Sequence, residues 1–208
     1  MLTFKSFLKE NHSEKPGSLT VFDIDDTLFH THAKVHVMHG NKHVASLTNQ
    51  EYNTHKLQPG HHFDYHEFRD ASHFDKTSRP IRGMIAKFKA IHKNIKNKPN
   101  HRVIINTARA DFDDKHKFLN TFRRHGIDID NSHVYRAGNA DDGKTSVAER
   151  KTDIIHQHLN TGKYKKVSLY DDSKENLNHF LALQKHHPHI KFHAFHVQHD
   201  GHVKVHRG

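Results

Sequence analysis

Short apolar runs alternate along the chain with segments whose apolar residues recur at spacings of three and four, the pattern of parallel strands connected by helices. Four runs read as buried strands: Leu19 to Phe22, Val103 to Ile105, the weaker Val134-Tyr135, and Val167 to Tyr170. A fifth, Ile190 to Val197, passes through Asp200-Gly201 into Val203 to Val205, which predicts a hairpin with a two-residue turn at the sheet's edge. Ile81, Met84, Ile85, Phe88 and Ile91 form one apolar stripe, and Pro80 before them is expected at the first helical position, where its fixed φ suits a helix start. Phe118, Leu119 and Phe122 mark a second helix closed by Gly126, Ile154, Ile155 and Leu159 a third before Gly162, and Leu177, Phe180, Leu181 and Leu183 a fourth. Leu2, Phe4, Phe7 and Leu8 fall at helical spacing without the continuous apolar stretch of a signal peptide.

The rhythm breaks between about Thr31 and Arg79. There Val35, Val37, Gly40-Asn41 and Val44 predict a hairpin, and Thr48 to Glu51 has the spacing of a helix-capping box. The expected organisation is a doubly wound, Rossmann-like α/β core of residues 1–30 and 80–208, with residues 31–79 as a small mixed α+β cap. That cap follows the first strand directly and would lie over whatever chemistry the strand's end carries.

Three strands end in polar residues of catalytic type: Asp23-Ile24-Asp25-Asp26-Thr27, Thr107-Ala108-Arg109 and Asp171-Asp172. In an open parallel sheet such ends converge on the crevice where ligands bind. Each has a plainer reading, since Asp is favoured at strand ends and helix caps and Thr in strands; it is their joint occurrence that points to one site. Carboxylates gathered without cysteine or a histidine triad suit a hard cation such as Mg²⁺, which takes oxygen ligands and works on phosphate oxygens.

Composition narrows the class further. The 208 residues allow one enzyme-sized unit, and 33% apolar content is lean but sufficient for one core. The absence of cysteine excludes disulfides, thiolate nucleophiles and cysteine zinc sites, and no apolar run approaches the roughly 18 residues of a membrane span. A soluble, cytoplasmic protein needing neither a membrane nor an obligate protein partner is expected. With 33 Lys and Arg against 23 Asp and Glu, the formal charge of +10 points to an anionic partner. The 27 histidines, His61-His62 and His186-His187-His189 among them, read as surface composition with adventitious metal affinity.

The ordered set LTVFDIDDTL, VIINT, ERKTDII and LYDDSKEN resembles the four motifs of the haloacid dehalogenase (HAD) superfamily of phosphatases, over about Leu19 to Asn176. That resemblance implies that Asp23 is a nucleophile forming an aspartyl phosphate and Asp25 the general acid and base; a dehalogenase lacks the second carboxylate. It implies Mg²⁺ held by Asp23, the Asp25 carbonyl and Asp172, with Asp171 or Asn176 acting directly or through water. Thr107 would bind a phosphoryl oxygen and Lys151, or its competitor Lys144, would balance charge. Thr27, Arg109 and Lys144 are expected to hold substrate. The implied substrate is a phosphorylated small molecule or nucleic-acid end, the latter because the chain also resembles the phosphatase half of polynucleotide kinase-phosphatases. Two alternatives stand beside this. Gly138 to Thr145 satisfies the phosphate-cradling pattern G-x-x-x-x-G-K-[ST], although Asp141 and Asp142 set negative charge where phosphate would sit. The chain would otherwise be a non-catalytic basic nucleic-acid-binding module.

Overall fold

The computed structural model describes residues 16–52, 54–140 and 144–208; Leu2 to Leu8, and Asp141 to Gly143 of the glycine-rich loop, lie outside them. The chain runs β1 (Gly17–Phe22), β2 (Phe29–His30), β3 (Val35–His39), β4 (Lys42–Leu47), α1 (Asn49–Tyr52), β5 (His61–Asp64) and α2 (Ala71–Thr77). It continues with β6 (Arg79–Pro80), α3 (Arg82–Ile95), β7 (Arg102–Thr107), α4 (Lys115–Arg124) and β8 (His133–Arg136). The remainder is α5 (Val147–Leu159), β9 (Tyr164–Asp171), α6 (Lys174–Ala182), β10 (Lys191–Val197) and β11 (Val203–His206).

The central sheet has the order β11-β10-β9-β1-β7-β8. All its pairings are parallel except that of β11 with β10. Strand side chains alternate between two apolar layers, as they must when both faces are covered. Phe22, Val103, Ile105 and Tyr170 pack with Met84 and Phe88 of α3 and Phe118 and Phe122 of α4. Leu19, Val21, Ile104, Val167 and Leu169 pack with Ile155 and Leu159 of α5 and Leu177 and Phe180 of α6. The chain thus winds outward from β1 to β8 on one face and returns through β9 to β10 on the other. Strand order reverses between β1 and β9, where a doubly wound sheet opens its ligand crevice. Phe22 is in register with Tyr170 and Tyr170 with Phe195. Their rings stack nearly parallel across the three strands, with centroids 4.7 and 4.6 Å apart.

Helix ends follow the local sequence. Ser146 and Glu149 form a capping box at α5, Asp114 accepts from the Lys117 amide at α4, and Gly126 and Gly162 turn left-handed (φ 73° and 70°) after α4 and α5. Pro80 departs from expectation. It lies in β6, paired with Phe29 of β2, and α3 begins only at Arg82. The Ile81 amide donates to the Leu28 carbonyl at 2.9 Å, which holds the backbone extended one residue past the proline. The β10–β11 hairpin is present, but its connection is longer than two residues. Gln198 N–H donates to the His202 carbonyl at 2.8 Å, with Gly201 left-handed (φ 82°) within the turn.

Within 31–79, β3 and β4 form the expected hairpin around Gly40 (φ 56°), and the Thr48–Glu51 capping box precedes α1. A strand the sequence does not announce, β5, adds to β3 and gives an antiparallel sheet of order β4-β3-β5. Its sequence His61-His62-Phe63-Asp64 carries one apolar residue, too few for a visible alternation. Val35, Val37 and Leu47 form a separate small cluster, whereas Ala71 and Phe74 of α2 join the core beside Phe29, Phe118 and Phe122.

Candidate active site

Asp23 follows β1, its amide bonded to the Tyr170 carbonyl, which sets it beside Asp171 at the end of β9. From α5, one turn past its cap, Lys151 reaches between them: Nζ donates to Asp23 Oδ1 at 2.8 Å and to Asp171 Oδ2 at 2.7 Å. All three are buried. The Lys151 main chain is tied to β7 by Asn106 Nδ2, which donates to the Lys151 carbonyl at 2.9 Å. Asp171 is fully committed, since its other oxygen accepts from Ser173 N–H at 3.0 Å and Asn176 Nδ2 at 2.9 Å. Among the described residues nothing donates to Asp23 Oδ2, which leaves one of its carboxylate oxygens uncommitted.

Asp25 is held differently. Arg109, after β7, grips it as a fork, with Nε 2.9 Å from Oδ2 and Nη2 2.6 Å from Oδ1. Two further donors are used inside the protein: Nη2 also reaches Thr31 Oγ1 at 2.9 Å, and Nη1 the Phe68 carbonyl at 2.8 Å. Its guanidinium lies 4.8, 4.9 and 5.4 Å from the ring centroids of Phe68, Phe74 and Phe112, a cation–π cage that excludes water. Arg109 therefore fixes the second carboxylate; it does not present an open surface to substrate. Phe68 and Thr31 both lie within residues 31–79, so that segment takes part in holding Asp25.

The charges are unbalanced. Among the described residues, Asp23, Asp25, Asp171 and Asp172 face Lys151 and Arg109 as counterions. Burial pushes the Asp23 carboxyl up to about 7 against the pull of Lys151, with Asp171 and Asp25 adding to the rise. Burial, Asp171 and Asp23 likewise raise Asp172 well above the usual carboxylate range. Burial disfavours the charged lysine, but Asp171 and Asp23 outweigh it and hold Lys151 protonated. Asp23, Asp171 and Asp172 each offer an oxygen within 4.8 Å of the others. A donor set of buried carboxylate oxygens carrying excess negative charge fits a hard divalent cation. Asp171 already accepts from Lys151, Ser173 and Asn176, so Asp23 and Asp172 are the less occupied of the three.

Of the two lysines the sequence leaves open, Lys151 reaches the carboxylates; Lys144 is exposed on the loop before α5. Thr107 is fully buried at the end of β7, its Oγ1 accepting from the Arg109 amide at 3.2 Å. Thr27 offers no exposed atom to the crevice. It is fully buried in the turn after Ile24, its N–H donating to the Ile24 carbonyl at 3.3 Å, so its side chain belongs to the core under the loop. Asn176 serves as a support for Asp171. Gly138, first glycine of the glycine-rich loop, has a plain structural reason to be glycine: a Cβ there would sit 2.5 Å from the Ala108 carbonyl oxygen and 2.7 Å from the Ala110 amide. Sequence reasoning missed Asn106, Thr31 and Phe68 as supports, and only the adjacency of Asn106 to Thr107 hinted at any of them.

Fold and site together define an open, doubly wound α/β protein with an acidic, lysine-bridged crevice at its switch point. No protein-family model matches the chain, and no curated protein does. Among solved structures, the HAD domain of effector protein Lem4 from Legionella pneumophila is similar at 12% identity and a TM-score of 0.49, over 86% of this chain and 85% of that one. An inactive mutant of the same domain is similar at 10% identity and a TM-score of 0.46, over 86% of each chain. The fold class stated here rests on the strand order itself.

Proposed function

We propose that this protein is a Mg²⁺-dependent phosphomonoester hydrolase that works through an aspartyl phosphate on Asp23. The observation that carries the reading is the placement of Asp23, Asp25, Lys151 and Asp171 together at the switch point, two carboxylates gripped by one lysine and a third by an arginine. A carboxylate oxygen of Asp23 attacks phosphorus and the bond to the ester oxygen breaks, while Asp25 gives that oxygen a proton. Asp25, now a carboxylate and the form Arg109 grips, takes a proton from the water that attacks the phosphorus. The bond to Asp23 then breaks and inorganic phosphate leaves. Lys151 offsets the charge gathering on the phosphoryl oxygens, and Thr107 stands at the neighbouring strand end. Mg²⁺, held by Asp23 and Asp172, would supply charge neutralisation for the incoming dianion.

The experiment is hydrolysis of p-nitrophenyl phosphate with and without Mg²⁺, followed by acid quenching and location of the trapped phosphate. Turnover abolished by chelation, with phosphate on Asp23, is expected; trapping elsewhere, or no hydrolysis of any phosphomonoester in a broad panel, would overturn the reading. The formal charge of +10 favours a phosphorylated oligonucleotide end over a small ester. If so, kcat/KM for the oligonucleotide exceeds that for the small ester and falls steeply with added salt, because neutralising backbone phosphates releases counterions. Equal salt dependence for both leaves a small-molecule phosphatase.

Arg109→Lys keeps the charge and loses the fork. It is expected to lower kcat by about 10² to 10⁴-fold, the range for general acid–base assistance, with KM little changed. A change confined to KM would return Arg109 to substrate binding.

A further inference from the structure

We propose that His36, His66 and Glu67 form a Zn²⁺ site in the insertion, separate from the acidic crevice. Each offers one ligand atom within 4.8 Å of the other two. His36 sits in the middle strand of the β4-β3-β5 sheet, in register with Ser46 on one side and Asp64 on the other. His66 and Glu67 open the short 3-10 turn His66–Phe68 that follows β5. The rings of His36 and His66 stack at 4.9 Å between centroids and 11° between planes.

What distinguishes this cluster from scattered surface histidine is that every ligand already has a second partner fixing it. His36 Nδ1 is bonded to Ser46 Oγ at 2.9 Å, while its Nε2 faces Glu67 Oε1 at 2.9 Å. Asp64 Oδ2 holds His66 Nδ1 at 2.8 Å, leaving Nε2 to ligate. Glu67 Oε2 accepts from the Lys34 amide at 2.7 Å. Metal-bound histidines characteristically have their other ring nitrogen held by a carboxylate, carbonyl or hydroxyl in this way, which sets tautomer and orientation. Nearby, His73 Nε2 is buried without a hydrogen-bond partner, 3.9 Å from Glu67 Oε2. Two neutral imidazoles with one carboxylate, leaving a fourth position for water, are borderline donors suited to four-coordinate Zn²⁺ and ill suited to Mg²⁺. The ion would fasten the turn His66–Phe68 to β3, and Phe68 is the residue whose carbonyl and ring hold Arg109.

The test is Zn²⁺ titration of the full chain by calorimetry, in excess Mg²⁺ so that the acidic crevice is not counted. One equivalent bound more tightly than the background of the other histidines is expected. His66→Ala removes a largely exposed ring and leaves the fold intact; it and Glu67→Gln should each weaken that equivalent at least tenfold. Asp64→Asn should weaken it by about 10- to 100-fold, the usual cost of losing a supporting partner. The double variant His186→Ala/His187→Ala, remote in sequence, should leave it unchanged. Absence of any equivalent above background, or a tight equivalent that survives both His66→Ala and Glu67→Gln, overturns the proposal.

Discussion

Asp23→Asn is expected to fold, to melt at a higher temperature than the wild type in the absence of Mg²⁺, and to turn over no phosphomonoester. The rate effect follows from chemistry: the amide keeps the volume of the side chain and its contact with Lys151 but has no nucleophilic oxygen. Losing a covalent nucleophile lowers kcat on the scale of about 10⁶-fold, so residual activity should vanish into the background. The stability effect has the opposite sign because Asp23 is buried among carboxylates that outnumber their counterions. Mg²⁺ should raise the wild-type melting temperature more than that of the variant, since one ligand is gone. Initial rates and thermal melts on the same preparations check both. Wild-type-like turnover by well-folded Asp23→Asn protein would falsify the mechanism.

Lys151→Ala should damage both stability and rate. Its ammonium is the shared partner of two buried carboxylates, at 2.8 and 2.7 Å. Removing one side of a buried ion pair strands the other, at a cost of about 3 to 5 kcal/mol. The loss should shrink when Asp23→Asn is added, because one stranded charge disappears with it; denaturant titration of the four proteins in this cycle measures that coupling. Lys144→Ala should leave stability and the chemical rate unaltered and at most weaken substrate binding. Lost turnover in Lys144→Ala with intact turnover in Lys151→Ala would move the charge-balancing role into the loop before α5. Tight Mg·ATP binding that disappears with Lys144→Ala would restore the phosphate-cradling reading of Gly138 to Thr145.

Much of this architecture was legible because the periods were clean. The strand runs are buried on both faces, so Leu19–Phe22, Val103–Ile105 and Val167–Tyr170 stand out as unbroken apolar segments, and the polar residues that end them mark the crevice. Lys151 was one of two lysines, with Lys144, that the motif resemblance left open, and it is Lys151 that the fold brings to Asp23 and Asp171. What escaped was contact across long separations. Nothing in the sequence says that Arg109 meets a carboxylate 84 positions earlier instead of a substrate phosphate, since a guanidinium suits either. The burial of Thr27 depends on the tight turn after Ile24, and Pro80 was misplaced because its local preference for a helix start yields to pairing with Phe29. β5 escaped because a strand whose side chains are mostly polar histidines carries no period to read.

The stack of Phe22, Tyr170 and Phe195 lies one residue behind the chemistry, since Phe22 precedes Asp23 and Tyr170 precedes Asp171. A strand that slips by one position turns every side chain to the opposite face. Such a slip between β1 and β9 would part Phe22 from the Tyr170–Phe195 stack and set Asp23 against a phenol, with Lys151 left to span a gap it no longer fits. The aromatic ladder therefore ties register to the crevice: a chain whose rings are in step has Asp23 and Asp171 in step as well. Misregistered molecules would lose core packing together with activity, and so would be sorted out by their instability before they could persist as folded but silent protein.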